Sequence, residues 1–179
     1  MKNIELEMND SQSVALDLSG GPLKLFADAS IDAEAVTLAT LRAAVGPGLL
    51  TAEGKLGLKD KQPFSFKGKL ASFDPSRLAK VAAGRINADF TATGEIAPEL
   101  GVALDFAVHE SEYAGLPMTG GGKVRLAGER LLPSEASLSM AGNQANLRGS
   151  FGARGDALKL AVDAPQLERL KFGVAGKLK

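Results

Sequence analysis

A short glycine motif recurs six times in this sequence. Each copy is a glycine followed by a polar and then an apolar residue: Gly54-Lys55-Leu56, Gly68-Lys69-Leu70, Gly94-Glu95-Ile96, Gly122-Lys123-Val124, Gly149-Ser150-Phe151 and Gly176-Lys177-Leu178. From the second copy onward the glycines are 26, 28, 27 and 27 residues apart, and the first step is 14. A fixed period of this size indicates an array of one small unit. About 27 residues hold two strands and two turns, so the unit is predicted to be a β-hairpin.

Apolar and polar residues alternate with a period of two over much of the chain. Ile86, Ala88 and Phe90 alternate with Asn87 and Asp89, for example. This alternation is typical of β-strands that bury one face. We therefore expect an all-β protein: an elongated, curved repeat sheet with an apolar inner groove, forming one domain over residues 1–179.

The same alternation selects the large side chains of the predicted inner face. They run from Ile86 to Val162, and the residues predicted to line the groove are Ile86, Phe90, Val102, Leu104, Phe106, Val108, Val124, Leu126, Leu138, Met140, Leu147, Phe151, Leu158, Leu160 and Val162.

Such a face has to be covered. Leaving a large apolar side chain in water forfeits about 1.5–3 kcal/mol, and a folded domain is stable by only about 5–15 kcal/mol. A closed barrel, a sandwich of two sheets, or a folded sheet that holds an apolar ligand would each solve the problem. The even period and the scarcity of Trp and Tyr favour the third solution, while an ordinary protein core stays the competing interpretation.

Other segments are less regular. Strands are expected at 4–8, 13–18, 23–28 and 62–70, and a strand is favoured over a helix for 32–44. One short helix is predicted at 75–82, because Asp74 suits an N-cap, Pro75 suits the first helical position and Gly84 ends the segment. The repeat glycines are expected once per hairpin at a similar register, where they would crease the sheet along one line.

Several function classes are disfavoured by composition. Lys+Arg and Asp+Glu both number 21, Trp is absent and Tyr occurs once, so we expect no nucleic-acid partner. The chain has no cysteine, which excludes disulfides and thiolate metal sites. His109 is the only histidine and stands among polar-face residues. We predict no catalytic residues, no metal site and no cofactor, and hence that the protein is not an enzyme.

The ends of the chain and its hydropathy bear on its cellular setting. No segment has the ~18 consecutive apolar residues of a membrane span. The chain begins and ends inside its alternating pattern, at 1–7 and at 172–179. We therefore expect a slice of a longer array, with any signal or anchor outside it and with exposed edges that favour edge-to-edge self-association.

Three groups of phrases, in order and spacing, carry a resemblance to a known family. They are 73–78 followed by 84–88, then 111–117 leading into 120–128, and finally 142–152 continuing to 156–160 and 163–167. Together they resemble the TamB family of translocation and assembly module proteins, which is similar to AsmA-like and bridge-like lipid transfer proteins. The resemblance covers about residues 64–179.

The resemblance implies a fold and a role. TamB-like proteins form a folded sheet, called a β-taco, with a hydrophobic groove, and they are anchored in the inner membrane and cross the periplasm of Gram-negative bacteria. The implied ligands are phospholipid acyl chains and the implied partner is a TamA-like outer-membrane barrel. The implied function is lipid transport between the membranes in outer-membrane biogenesis. The alternatives are a scaffold that assists assembly of outer-membrane β-barrel proteins and a passive structural β-array.

Overall fold

The computed structural model describes residues 12–19 and 23–170. They form one antiparallel sheet of eleven strands: β1 (Gln12–Ser19), β2 (Leu23–Ile31), β3 (Ala35–Val45), β4 (Gly48–Gly57), β5 (Pro63–Phe73), β6 (Gly84–Glu95), β7 (Gly101–Tyr113), β8 (Leu116–Ala127), β9 (Arg130–Met140), β10 (Asn143–Phe151) and β11 (Leu158–Asp163). Spatial order equals chain order, so every strand pairs with its neighbours in sequence. The sheet is open, because β1 and β11 are not paired with each other. The predicted all-β class is confirmed.

Tight turns connect several of these strands. Tyr113 of β7 faces Leu116 of β8 across a two-residue turn, and both turn residues have positive φ, at 54° for Ala114 and 76° for Gly115. The turn between β9 and β10 repeats this geometry with Ala141 at 49° and Gly142 at 83°. Such turns match the right-handed twist of the strands they join, so they set the register of each hairpin.

The register carries one row of apolar residues across most of the sheet. From β5 to β11 the directly paired residues of this row are Gly68, Phe90, Phe106, Gly122, Ala136, Leu147 and Leu160. Directly paired residues of an antiparallel sheet point to the same face. The rows two residues away along the strands repeat the pattern, so the sheet from β5 to β11 has one apolar and one polar face.

No second layer packs on the apolar face within the described residues. Among residues 23–167 and 169–170, the apolar side chains that are less than about a tenth exposed are those of Ala35, Val45, Ala88 and Ala141. Of these four, Val45 is the one large side chain that is almost fully buried. A sandwich or a closed barrel would bury a core of large side chains. Among the described residues, neither of those two predicted ways of covering the face is present.

The helix predicted at 75–82 is wrong. Only a 3-10 turn forms, at Pro75–Arg77. The cap was identified correctly, since Asp74 Oδ1 accepts hydrogen bonds from the backbone N–H of Ser76 at 3.1 Å and from the Ser76 hydroxyl at 2.8 Å. The same oxygen also accepts from the N–H of Gly84 at 3.1 Å. Asp74 therefore ties the turn to the first residue of β6, so the connection closes instead of extending into a helix.

The other predicted segments have mixed outcomes. The strands expected at 13–18, 23–28 and 62–70 correspond to β1, β2 and β5, and the strand favoured for 32–44 corresponds to β3. The strand expected at 4–8 and the strand-like chain end at 172–179 lie outside the described residues. A second 3-10 turn, Leu167–Leu170, was not predicted.

Helices long and apolar enough to cross a bilayer are absent from residues 12–19 and 23–170.

We predict that the Asp74 cap makes the stability of the sheet depend on pH. Hydrogen bonds from the Ser76 hydroxyl and the Gly84 N–H lower the pKa of Asp74 below its usual value. A carboxyl whose pKa is lowered by folding stabilises the fold above about pH 4, and this contribution is lost as the pH falls through the folded-state pKa. Asp74→Ala should lower the urea midpoint, followed by circular dichroism, at neutral pH. An equal deficit at a pH well below the folded-state pKa would contradict this origin.

Candidate functional site: an open apolar face

The fifteen residues predicted to line a groove all lie on one face of the sheet. Ten of them lie in three rows of directly paired residues that cross the sheet. The first row is Phe90, Phe106, Gly122, Ala136, Leu147 and Leu160, and the second is Val108, Gly120, Leu138, Ala145 and Val162. The third row is Val102, Leu126, Leu131 and Phe151. The other five residues lie on the same face through further direct pairs with residues of that face: Ile86, Leu104, Val124, Met140 and Leu158. The structure therefore brings them together on one apolar surface. That acyl chains contact them stays a prediction.

This apolar face is open to solvent. None of the fifteen side chains is buried: nine are half-buried and six are exposed. Exposure increases toward the last strands, reaching 65% at Phe151, 66% at Leu160 and 57% at Val162. Contiguous exposed apolar surface is unusual on a folded protein, so this face is the candidate binding surface.

Phenylalanines face the repeat glycines across the sheet. Four of the five repeat glycines that the structure describes have a phenylalanine as a direct partner: Gly54 with Phe66, Gly68 with Phe90, Gly94 with Phe64 and Gly122 with Phe106. A Cβ added at Gly68 would lie 2.6 Å from Cζ of Phe90, and one added at Gly94 would lie 2.8 Å from Cζ of Phe64. The rings of Phe90 and Phe64 therefore lie over bare backbone, an arrangement known to compensate glycine in strands.

The predicted placement of the glycines is wrong. They do not occur once per hairpin, because β4, β5 and β6 carry one each. They also do not share one line: Gly68 and Gly122 share a row, while Gly94 lies in another. Among the five repeat glycines that the structure describes, only Gly149 combines a positive φ, 133°, with a bulge, and Gly176 lies outside the described residues. At Gly54 and Gly68 an aromatic ring and a backbone carbonyl oxygen both approach too closely for a Cβ, and at Gly94 the carbonyl oxygen of Gly101 approaches more closely than the Phe64 ring. The sequence pattern did not reveal these contacts.

Two buried serines on the apolar face occupy irregularities in the register. Ser111 is 6% exposed, and its hydroxyl accepts from the Asn87 N–H at 2.8 Å and donates to the Asn87 carbonyl at 3.2 Å. Ser134, also 6% exposed, accepts from the Arg125 N–H at 2.9 Å and donates to the Leu132 carbonyl at 2.8 Å. Each serine supplies the bonds that a bulge removes from the ladder, so polar backbone is not left bare on the apolar face.

The opposite face carries a ladder of charges. Ion pairs join neighbouring strands: Glu53 with Lys67 at 2.8 Å, Lys69 with Asp89 at 3.4 Å and Asp105 with Lys123 at 3.7 Å. The side chains are about half exposed or more. Pairs of this kind, between exposed side chains, contribute little to stability. Their effect is to keep this face hydrated.

A furrow of about 850 Å³ runs along the polar face from β3 to β9. Its sides are polar side chains of two rows, such as Lys69 and Asp89 on one side and Lys67 and Asp105 on the other. Between these two rows lies the row that contains Phe90 and Phe106 of the predicted groove, and both residues also line the furrow. Because the side chains of that row point to the apolar face, the row presents its backbone to the furrow. This furrow is therefore separate from the predicted acyl-chain surface.

His109 lies on the polar face, as predicted. Its Nε2 lies 2.7 Å from Oδ2 of Asp89, and both side chains are about half exposed. The hydrogen bond with His109, reinforced by Lys69, lowers the pKa of Asp89. The pair is a surface contact on the ladder rather than part of an enclosed site.

Groups of three or more His, Cys, Asp or Glu side chains placed to hold a metal ion are absent from the described part of the chain. Comparison with known proteins gives no match to any family model, curated protein or solved structure. The candidate site therefore rests on the geometry of the sheet itself.

We predict that the aromatic–glycine contacts are required for stability. Gly68→Ala places a methyl group against both the Phe90 ring and the carbonyl of Thr51, each at 2.6 Å. Overpacking of this kind costs about 1–3 kcal/mol, which chemical denaturation would measure. Gly101→Ala is the matched control, because the nearest atom to its Cβ is 3.9 Å away. Equal stability of the two variants would contradict the proposed role of Gly68.

Proposed function

We propose that the apolar face binds phospholipid acyl chains and that this chain is a segment of a groove that conducts phospholipid between the inner and outer membranes. The observation that supports it is a single apolar face, continuous across β6 to β11, that no second layer covers within the described residues. Such a face requires an apolar ligand or partner. An acyl chain matches its aliphatic and phenylalanine side chains.

The physical basis of transport is exchange between similar sites. Each methylene removed from water contributes about 0.8 kcal/mol, so acyl chains on this face are strongly favoured over acyl chains in water. Adjacent rows have similar composition, and moving from one to the next therefore changes the free energy little. Eleven strands spaced about 4.8 Å apart give a path on the order of 50 Å. A headgroup stays hydrated where the face is open.

The resemblance to TamB-like proteins gives this function its cellular setting. It implies a location in the periplasm, an inner-membrane anchor elsewhere in the full-length protein and a TamA-like barrel as the outer-membrane partner. The two-faced sheet supports such a setting, because its charged face is suited to water while its apolar face is suited to lipid.

A second function, assistance to the assembly of outer-membrane β-barrel proteins, is favoured by one observation. Strand β11 pairs only with β10 among the described residues, and all six of its residues are exposed. An unpaired strand edge can accept an incoming strand of another protein by β-augmentation. This function would depend on the edge and not on the apolar face, so variants can separate the two.

We predict a face-specific lipid contact at Phe106. A benzophenone side chain at Phe106, on the apolar face between Phe90 and Gly122, should give a lipid adduct on irradiation in the bacterial envelope, detected by mass spectrometry. The same side chain at Asp105, one residue away on the exposed polar face, should give none. Absence of lipid at both positions in a folded chain would make the face an ordinary protein contact and favour the assembly function.

We also predict that charges on the apolar face remove lipid binding. Phe106→Asp and Leu147→Asp each place a carboxylate in the row that crosses the sheet. A desolvated carboxylate against an acyl chain is strongly unfavourable, so co-purified phospholipid should fall by about tenfold or more.

The matched control is Ala103→Asp, which adds the same charge to the same strand on the polar face, where Arg125 lies directly opposite. It should retain its lipid. Comparable lipid content in all three variants, with circular dichroism unchanged, would overturn the proposed function. Barrel assembly that survives Phe106→Asp and Leu147→Asp would assign assembly to another surface, such as the β11 edge.

A further inference from the structure

The connection between β5 and β6 is unlike the other described connections at the same end of the sheet. Those between β3 and β4, β7 and β8, and β9 and β10 are two residues long, whereas this one spans ten, 74–83. Its last seven residues, 77–83, are all exposed, and we call them the β5–β6 loop. The loop belongs to the middle of the sheet, with five described strands on one side and six on the other, so it involves neither outer strand.

Hydrogen bonds fix both ends of this loop. Asp74 Oδ1 accepts from the N–H groups of Ser76 and Gly84, each at 3.1 Å. The carbonyl of Ala83 accepts from the N–H of Ala114, in the β7–β8 turn, at 2.8 Å. The loop is therefore held at a defined place on the sheet while its side chains face solvent.

The β5–β6 loop combines exposed aliphatic side chains with positive charge. Leu78 is 60% exposed and Val81 is 46% exposed, and the loop also contains three alanines. Its two charged residues, Arg77 and Lys80, are both basic. The carboxylate of Asp74, at the base of the loop, lies 3.6 Å from Nε of Arg77. Lys80 is therefore the cation that stands among the exposed aliphatic residues.

The two ends of the sheet differ in charge. At the end that carries the loop, two basic residues and one acidic residue lie in the described connections 46–47, 74–83, 114–115 and 141–142. At the opposite end, six acidic and three basic residues lie in the connections 32–34, 58–62, 96–100, 128–129 and 152–157. A negatively charged surface is therefore attracted to the end that carries the loop and repelled by the other end.

We infer that the β5–β6 loop docks on a membrane surface that contains anionic phospholipid. Leu78 and Val81 enter the headgroup region, where removal of aliphatic side chains from water is favourable. Lys80 lies beside the lipid phosphates, which attract it. This contact does not depend on acyl chains bound to the apolar face, because none of the loop residues belongs to the paired rows of that face.

A protein partner fits these side chains less well than a membrane. The contacts that dominate binding between proteins are enriched in Trp, Tyr and Arg. The loop has no aromatic, hydroxyl or amide side chain, and its one arginine is already close to Asp74. Aliphatic and lysine side chains need no partner of fixed shape, so they suit a fluid, anionic lipid surface.

Tryptophan fluorescence tests the inserted residue directly, because the chain has no native Trp. Leu78→Trp should show blue-shifted emission, and quenching by brominated acyl chains, with vesicles of phosphatidylcholine and phosphatidylglycerol in equal parts. Vesicles of phosphatidylcholine alone should give much smaller changes, and added salt should weaken the response. The matched control is Leu100→Trp, which should not respond, because Leu100 is 50% exposed at the opposite, acidic end of the sheet.

Substitutions separate the two contributions to binding. Two aliphatic side chains give weak and reversible attachment, so flotation of the same vesicles is measured at millimolar lipid. Leu78→Asp with Val81→Asp should lower the lipid affinity by about tenfold or more. Lys80→Glu should lower it by about tenfold, while Lys80→Arg should keep it. Ile96→Asp with Leu100→Asp, the matched pair at the opposite end, should leave it unchanged.

The apolar face provides the remaining control. Phe106→Asp should lower co-purified phospholipid but leave vesicle attachment intact, and Leu78→Asp with Val81→Asp should do the reverse. Failure of the lipid adduct at Phe106 would therefore leave this inference standing. Vesicle attachment that Phe106→Asp removes and the loop variants keep would overturn it, because the face would then be the contact. The absence of a response from Leu78→Trp, or an equal response from Leu100→Trp, would overturn it as well.

Discussion

Cross-strand register is the constraint on which the rest of this structure depends. Each strand contacts its two chain neighbours through backbone hydrogen bonds, and no second layer within the described residues corrects or reinforces the pairing. Register alone therefore keeps Phe90, Phe106 and Leu147 on one side and Asp89, Asp105 and Arg148 on the other. The two-residue turns with positive φ at Ala114–Gly115 and Ala141–Gly142 secure it at the hairpins.

The sheet separates two physical environments across the thickness of one backbone. On one side, phenylalanine rings lie over glycine and serines satisfy the bulges, so the surface offers little polar backbone. On the other side, cross-strand ion pairs between exposed side chains keep the surface wet. This separation is what a protein needs if it is to hold an apolar ligand in contact with water, and it is the reason that the proposal concerns the face as a whole and not a single pocket.

Much of the fold could be predicted from the sequence because its signal is local. Alternation identified the strands and the shared face of the fifteen apolar residues, since period two is a property of each strand by itself. The helix at 75–82 failed because the Asp74 carboxylate reaches Gly84, ten residues away in sequence, and closes the connection early. The glycine–phenylalanine pairs and the Ser111 and Ser134 bonds were missed for the same reason. They depend on which residues face each other across strands, and spacing along the chain does not reveal it.

The identity of spatial order and chain order has a consequence for how this molecule can change over time. A hairpin inserted or deleted at one of the turns shifts everything beyond it by two strands but leaves each remaining strand pairing intact, because each described strand pairs with its neighbours in sequence. Inserting two strands leaves the direction of every later strand and the face of its side chains unchanged. A single residue added inside a strand instead turns the side chains beyond it to the opposite face. Length is therefore an adjustable property of such a sheet, and duplication of a segment of about 27 residues changes its span in steps of roughly 10 Å.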